Sequence, residues 1–301
     1  MNRLVLGTVQ FGLKYGINNQ LGKPSIKKSL EMLDFAFENG IDTFDTAHSY
    51  GDAEEILGLF ISKNRLKNKA KIISKLRPNI LDDKIHDSLH NVIKWEIEKS
   101  LKKLNIDFLD GFLLHTSAYI YNEEIVSAFK KCKKEGLMKN FGVSIYEEKE
   151  AIYAIEKAGV DYIQVPYSIF DQRLDKTNFF EAAKKNKTKV FGRSAFLQGL
   201  ILMDDNVPKG LSEAKKYLKV FDSIIKKYGY SRQEAALLFS LSHEGIDGVV
   251  FGVDSKEQLK EDIEIAQRGI NEFLPCHEEL KHNFKNLKHN IIFPSLWEKN
   301  K

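Results

Sequence analysis

The chain has 301 residues, 43% hydrophobic and 29% charged, with 46 basic against 42 acidic side chains and a net charge of +4. This near-balance leaves no basic footprint for nucleic acid, no run reaches the roughly 18 apolar residues of a membrane span, and MNRLVLGTVQFG at the N-terminus lacks the apolar stretch of a signal peptide. Two cysteines, Cys132 and Cys276, make neither a disulfide framework nor a metal cluster, so reduced thiols in a cytoplasmic protein without a metal are expected.

Along the chain, eight short apolar runs stand out: LVLGT (4–8), IDTFDT (41–46), KIISKL (71–76), FLDGFLLH (108–115), NFGVSI (140–145), YIQVPYS (162–168), KVFGRSA (189–195) and GVVFGV (248–253). Their nearly continuous hydrophobicity predicts strands covered on both faces. Helical patterns separate them. After the first run, Leu30, Leu33 and Phe37 recur at helical spacing and Gly40 stops the helix. After the third, Leu89, Ile93, Ile97, Leu101 and Leu104 trace one helix face. Gly136 and Gly159 close two more helices just before strands. Ser231 with Glu234, and Ser255 with Gln258, have capping-box spacing.

Alternation of this kind predicts parallel strands joined by right-handed crossovers. Eight repeats predict an α/β fold, a (β/α)8 TIM barrel in a single domain. The barrel is expected over about 4–266, with a C-terminal helix and tail over about 267–301. A doubly wound sheet would carry a Gly-rich fingerprint after its first strand, but GTVQFGLKYG lacks the G-x-G-x-x-G spacing.

Barrels of this kind gather their chemistry at the C-terminal ends of the strands. Strand two ends in Asp45 with Tyr50 in its loop, strand three in Lys75 and strand four in His115. Each has a plainer reading: Asp45 as a turn residue, Lys75 as a snorkelling strand end, His115 as a satisfied buried histidine, Tyr50 as rim packing. Their convergence on neighbouring strand ends favours the chemical reading. An ammonium beside a phenol is expected to lower the Tyr50 phenol below its ordinary value of about 10. Tyr50 can then donate a proton to a carbonyl oxygen that His115 orients. These four supply no hydride, so a bound cofactor is implied. Before the last helix, GVDSKEQLKEDI places Gly252, Asp254 and Ser255 at a helix N-terminus, which either receives a phosphate or is merely capped.

These residues resemble the aldo-keto reductase family. The match is Asp45-Thr-Ala-His-Ser-Tyr50-Gly51 followed by Glu54 or Glu55 and Leu57-Gly58, then ISKL, DGFLLH, FGVSI, IQVPYS and GVDSKEQLKEDI, in order over about residues 4–266. The resemblance implies reversible carbonyl reduction with NADP(H) or NAD(H). It makes Tyr50 the general acid, tuned by Lys75 and Asp45, with His115 orienting the substrate. It places Gly7 and Thr8 beside the nicotinamide, Ser144 and Gln164 on its amide, and Ser194, Phe196, Gln198 and Gly199 on the pyrophosphate. Gly252, Ser255, Gln258 and Glu261 fall at the adenosine-phosphate end.

Four departures bear on the cofactor. Ile145 replaces an asparagine, and Arg193 replaces the aromatic that stacks on the nicotinamide, a role a guanidinium can share. Asp254 and Asp262 add negative charge at the adenosine end, Lys256 offsets it, and no arginine occupies position 258, which leaves NADPH and NADH balanced. The N-terminal hairpin that often closes the family's barrel bottom is expected to be absent. The substrate expected is a small aldehyde, ketone or sugar; the aromatics of TSAYIYNEE and Phe293 and Trp297 of IIFPSLW either wall its pocket or pack on an outer helix. Two other readings stay open: a nicotinamide-binding regulatory or scaffold protein, and a lyase using Lys75 as a Schiff base.

Overall fold

The computed structural model describes residues 3–67, 69–82, 88–204 and 206–297. The last four residues of the expected tail lie outside these. Its elements run β1 (Leu4–Gly7), α1 (Val9–Gly12), α2 (Ile26–Glu38), β2 (Thr43–Asp45), α3 (Ala53–Lys63), β3 (Lys71–Lys75), α4 (Leu89–Leu104), β4 (Leu109–Leu114), α5 (Glu123–Lys134) and β5 (Met138–Ser144). They continue with α6 (Glu148–Tyr153), β6 (Tyr162–Pro166), α7 (Phe179–Asn186), β7 (Lys189–Arg193), α8 (Ala214–Tyr228), α9 (Arg232–Ser242), β8 (Gly248–Phe251), α10 (Lys256–Gln267), α11 (Leu274–Phe284) and α12 (His289–Ile292). Each strand pairs with the next in parallel, and β8 pairs with β1 to close an eight-stranded (β/α)8 barrel.

The apolar runs are strands because each is buried on two sides. Val5, Ile73, Leu113 and Phe191 point inward and plug the barrel, with Tyr162 and Val250 packed on them. The opposite faces of the strands carry residues such as Phe44 and Phe112, which meet Phe60 of α3 and Phe129 of α5 at centroid distances of 5.5 and 5.7 Å. Each such side chain contributes about 1.5–3 kcal/mol of burial. On α4, Ile93, Ile97, Leu101 and Leu104 are buried, as their spacing predicts.

The helix signals also hold. Gly40, at φ 86°, follows α2, and Gly159, at φ 66°, caps the π-helical turn that extends α6. Gly136, at φ 82°, turns the chain between α5 and β5. Ser231 and Glu234 form a reciprocal capping box on α9.

Most strands end one or two residues before their apolar runs do. The strands end at Gly7, Asp45, Lys75, Leu114, Ser144 and Arg193, although Thr8, Thr46, Leu76 and Ile145 still donate their N–H groups across to the neighbouring strand. Among the described residues, no helix is long and apolar enough to cross a membrane.

Candidate active site

Parallel β2, β3 and β4 set Asp45, Lys75 and His115 side by side at one end of the barrel. Lys75 is fully buried, and its Nζ donates to both Asp45 oxygens, at 2.7 and 2.8 Å, and to the Thr46 carbonyl at 2.9 Å. Gln164 Nε2 on β6 donates to Asp45 Oδ2 at 2.7 Å, so the carboxylate is held on two sides.

Tyr50 is carried over this pair by the turn between β2 and α3. The Lys75 ammonium lies 5.1 Å from the Tyr50 ring centroid, and the His115 ring stands edge-on to Tyr50 at 6.0 Å. Backbone packing fixes the turn from outside. A Cβ on Gly12 of α1 would overlap the Tyr50 carbonyl, so only glycine lets the two chains meet. An ion pair from Lys23 to Asp52 ties the same turn to the β1 loop.

The electrostatics differ from the sequence expectation. The Tyr50 phenol is raised, not lowered: burial penalises the phenolate, and Asp45 adds to that, while Arg193 opposes it. Lys75 does not act alone, because its charge is spent on Asp45. Burial also pulls Lys75 itself down, against the hold of Asp45. His115 is lowered to about 3 by burial and by the nearby cations Lys75 and Arg193, so its imidazole is neutral. Ser49 Oγ lies 3.4 Å from its Nδ1.

A cavity of about 1000 Å³ starts at these groups and runs along the mouth toward α10. Gly7, Asp45, Tyr50, His115, Ser144, Gln164, Arg193, Ser194, Phe196, Gln198, Gly199, Gly252, Asp254, Gln258 and Asp262 all line it. The other expected residues do not. Lys75 is beneath the floor, and Thr8 is buried with its hydroxyl on the Asp45 carbonyl at 3.0 Å. Ser255 caps α10 by accepting from the Gln258 N–H. Lys256 turns its ammonium toward the Phe35 ring, 4.9 Å from its centroid, and Glu261 is exposed on α10. The Ser255–Gln258 pair is only half a capping box, because Gln258 Oε1 accepts from Asp254 N–H at 2.8 Å, one residue further back.

Several lining residues carried no periodic signal. Gln10, Tyr15 and Asn19 come from the long β1 loop, Tyr146 from the residue after Ile145, and Gln233 from α9. The β1 loop bridges two others: Ile17 N–H donates to the Gln198 carbonyl at 3.0 Å, and Asn19 Nδ2 to Asp254 at 2.9 Å. Trp297 lines the cavity as expected of the tail, whereas Phe293 is buried and packs on Tyr146 at 6.3 Å.

The residues present fit a dinucleotide. Gln10 Oε1 is buried and has no hydrogen-bond partner among the described residues. After β7 the chain bends sharply through Ser194, Leu197, Gln198 and Gly199, at φ of 66°, 47°, 53° and 91°. That bend forms a backbone concavity on the cavity wall, suited to phosphate. It is tight enough that a Cβ at Gly199 would stand 2.6 Å from Asn18 Cβ.

Comparison with known proteins bears on the family and the fold. A model of the aldo/keto reductase family matches residues 3–272. The chain is 27% identical over 261 residues to the uncharacterized oxidoreductase YqkF of Bacillus subtilis, covering 79% of this chain and 82% of that protein. It is 24% identical over 295 residues to the NADH-specific methylglyoxal reductase of Escherichia coli, covering 87% and 89%. Its fold is similar to that of the aldo-keto reductase AKR11C1 from Bacillus halodurans in its holo form, with a TM-score of 0.75 at 22% identity, covering 92% and 91%.

Proposed function

The chain belongs to the aldo/keto reductase family, whose members are NAD(P)-dependent oxidoreductases, and from that premise we propose that it reduces a small aldehyde, ketone or sugar carbonyl with Tyr50 as the proton donor. The observation that carries this reading is the buried Lys75–Asp45 pair under the Tyr50 ring, with His115 edge-on beside it, at one end of the long cavity.

The raised phenol suits the role. Tyr50 keeps its proton until a substrate oxygen gathers negative charge, and then donates it to the nascent alkoxide. The Arg193 guanidinium, which opposes the rise of the phenol, favours the phenolate that remains. Neutral His115 hydrogen-bonds the carbonyl oxygen and orients it without competing for the proton. When bound, the reduced nicotinamide supplies the hydride. Ser144 and Gln164 would hold its amide, Ser194, Phe196, Gln198 and Gly199 its pyrophosphate, and Gly252, Asp254, Gln258 and Asp262 its adenosine end. The NADH-specific methylglyoxal reductase among its relatives makes small oxo-aldehydes the first substrates to try.

Tyr50→Phe tests the mechanism. It keeps the ring that packs beside His115 and removes only the hydroxyl. Cofactor affinity and melting temperature are expected to stay near wild type, while turnover falls by roughly 100- to 10,000-fold. Wild-type rates in this variant would rule out Tyr50 as the proton donor.

A further inference from the structure

The cavity wall near Tyr50 carries a charge that no carboxylate among the described residues pairs with. Lys75 and Asp45 neutralise each other through their paired hydrogen bonds. His115 is neutral, and Tyr50 and Tyr15 hold their protons, Tyr15 raised to about 12 by burial. What remains on the barrel wall is the guanidinium of Arg193, a cation; the other cation lining the cavity, Lys14 of the β1 loop, is solvent-exposed.

Arg193 stands half-buried at the end of β7 and lines the cavity. It donates to the Ile145 carbonyl at 3.0 Å and to Ser194 Oγ at 3.3 Å, and it lies 4.3 Å from the Tyr146 ring centroid. Among the described residues, no carboxylate lies within ion-pair distance of it. Neutral groups therefore fix its orientation and leave its charge uncompensated. Its field bears on Tyr50, His115, Lys75 and Tyr15.

We propose that Arg193 makes this site discriminate between the redox states of the nicotinamide, holding neutral NAD(P)H more tightly than cationic NAD(P)+. The inference rests on the reductase reading, which requires the nicotinamide to react beside Tyr50. In the reduction, a C–H bond of the dihydropyridine breaks and its hydride forms a C–H bond at the carbonyl carbon. The carbonyl is reduced to an alcohol with the Tyr50 proton, and the ring is oxidised to a pyridinium. Solvent returns a proton to Tyr50. The ring thus gains one positive charge near a fixed positive charge, so Arg193 favours the reduced form and weakens the hold on the oxidised product. The phosphates, Asp254 and Asp262 act on both forms alike and cancel in the affinity ratio.

Dissociation constants for NADH and NAD+, and for NADPH and NADP+, measured by calorimetry on the whole chain, test this without turnover. The wild type is expected to bind the reduced form roughly 10- to 100-fold more tightly than the oxidised one. In Arg193→Gln the ratio is expected to fall to within about threefold of unity, and in Arg193→Lys, which keeps the charge, to persist. Equal affinities in the wild type would overturn the proposal, and that measurement needs no variant. So would Arg193→Gln weakening both forms by the same factor, which would mean that the guanidinium serves the phosphates. Failure of either form to bind the wild type would overturn the reductase reading and this inference with it.

Discussion

Tyr50 and Asp262 illustrate how burial sets the charge state of single residues in this cavity. Tyr50 is protonated because its phenolate would be buried next to Asp45. Asp262 is buried at the far end of the cavity, accepts from Gln233 Nε2 at 2.9 Å, and is raised by burial to about 7. The folded chain therefore holds the Asp262 proton up to about pH 7, whereas an unfolded chain releases it near 3.8. Its contribution to stability is complete below 3.8 and is lost as pH rises through 7, a loss of up to about 4 kcal/mol. Asp262→Asn keeps an oxygen for Gln233 and removes the titration. Without cofactor, this variant and the wild type are expected to show the smallest difference in melting temperature near pH 4, with the variant melting several degrees higher at pH 8. Equal melting at pH 8 would mean that the buried carboxyl is stabilised as an anion. Neither residue's state was legible in the sequence. Lys75 beside Tyr50 suggested a lowered phenol, and only the fold reveals that burial and Asp45 outweigh the nearby cations.

Among the elements, strands and loops differ in how much the sequence discloses. The barrel strands are buried on both faces, so their central residues are mostly apolar and their existence is plain. Their C-terminal ends are less so, because residues such as Thr8, His115 and Ile145 continue the run past the last strand residue. The β1 loop has no periodicity at all, yet it supplies Gln10, Tyr15 and Asn19 to the cavity. Its helix α1 meets the Tyr50 turn backbone to backbone at Gly12. Gly12→Ala is therefore expected to push that turn outward. The cost is about 1–3 kcal/mol of stability, as for other overpacked sites, together with a fall in turnover larger than any change in cofactor affinity. Unchanged turnover and melting temperature in Gly12→Ala would show that α1 can move aside and does not position Tyr50.

At the scale of the whole molecule, the closed barrel lets distant segments meet at one mouth. Asp45 and Gln164 are 119 positions apart yet share a hydrogen bond of 2.7 Å, and Trp297 from the tail lines the same cavity. The convergence of Asp45, Lys75, His115 and Tyr50, and many of the residues lining the cavity beside them, were visible in the sequence because each lies beside a strand end. The residues closing the cavity were not, since they depend on how loops from β1, β5 and the tail cross. The central claim is that this assembled site turns over a carbonyl at the expense of a reduced nicotinamide. The most direct test follows the absorbance of NADH and of NADPH, each at saturation, while the whole chain is offered small aldehydes, oxo-aldehydes, ketones and sugars. Carbonyl-dependent consumption of at least one reduced cofactor, matched by alcohol formed, is the result expected. Tight binding of both cofactors with no consumption on any carbonyl would contradict the account and make the barrel a nicotinamide-binding protein without turnover.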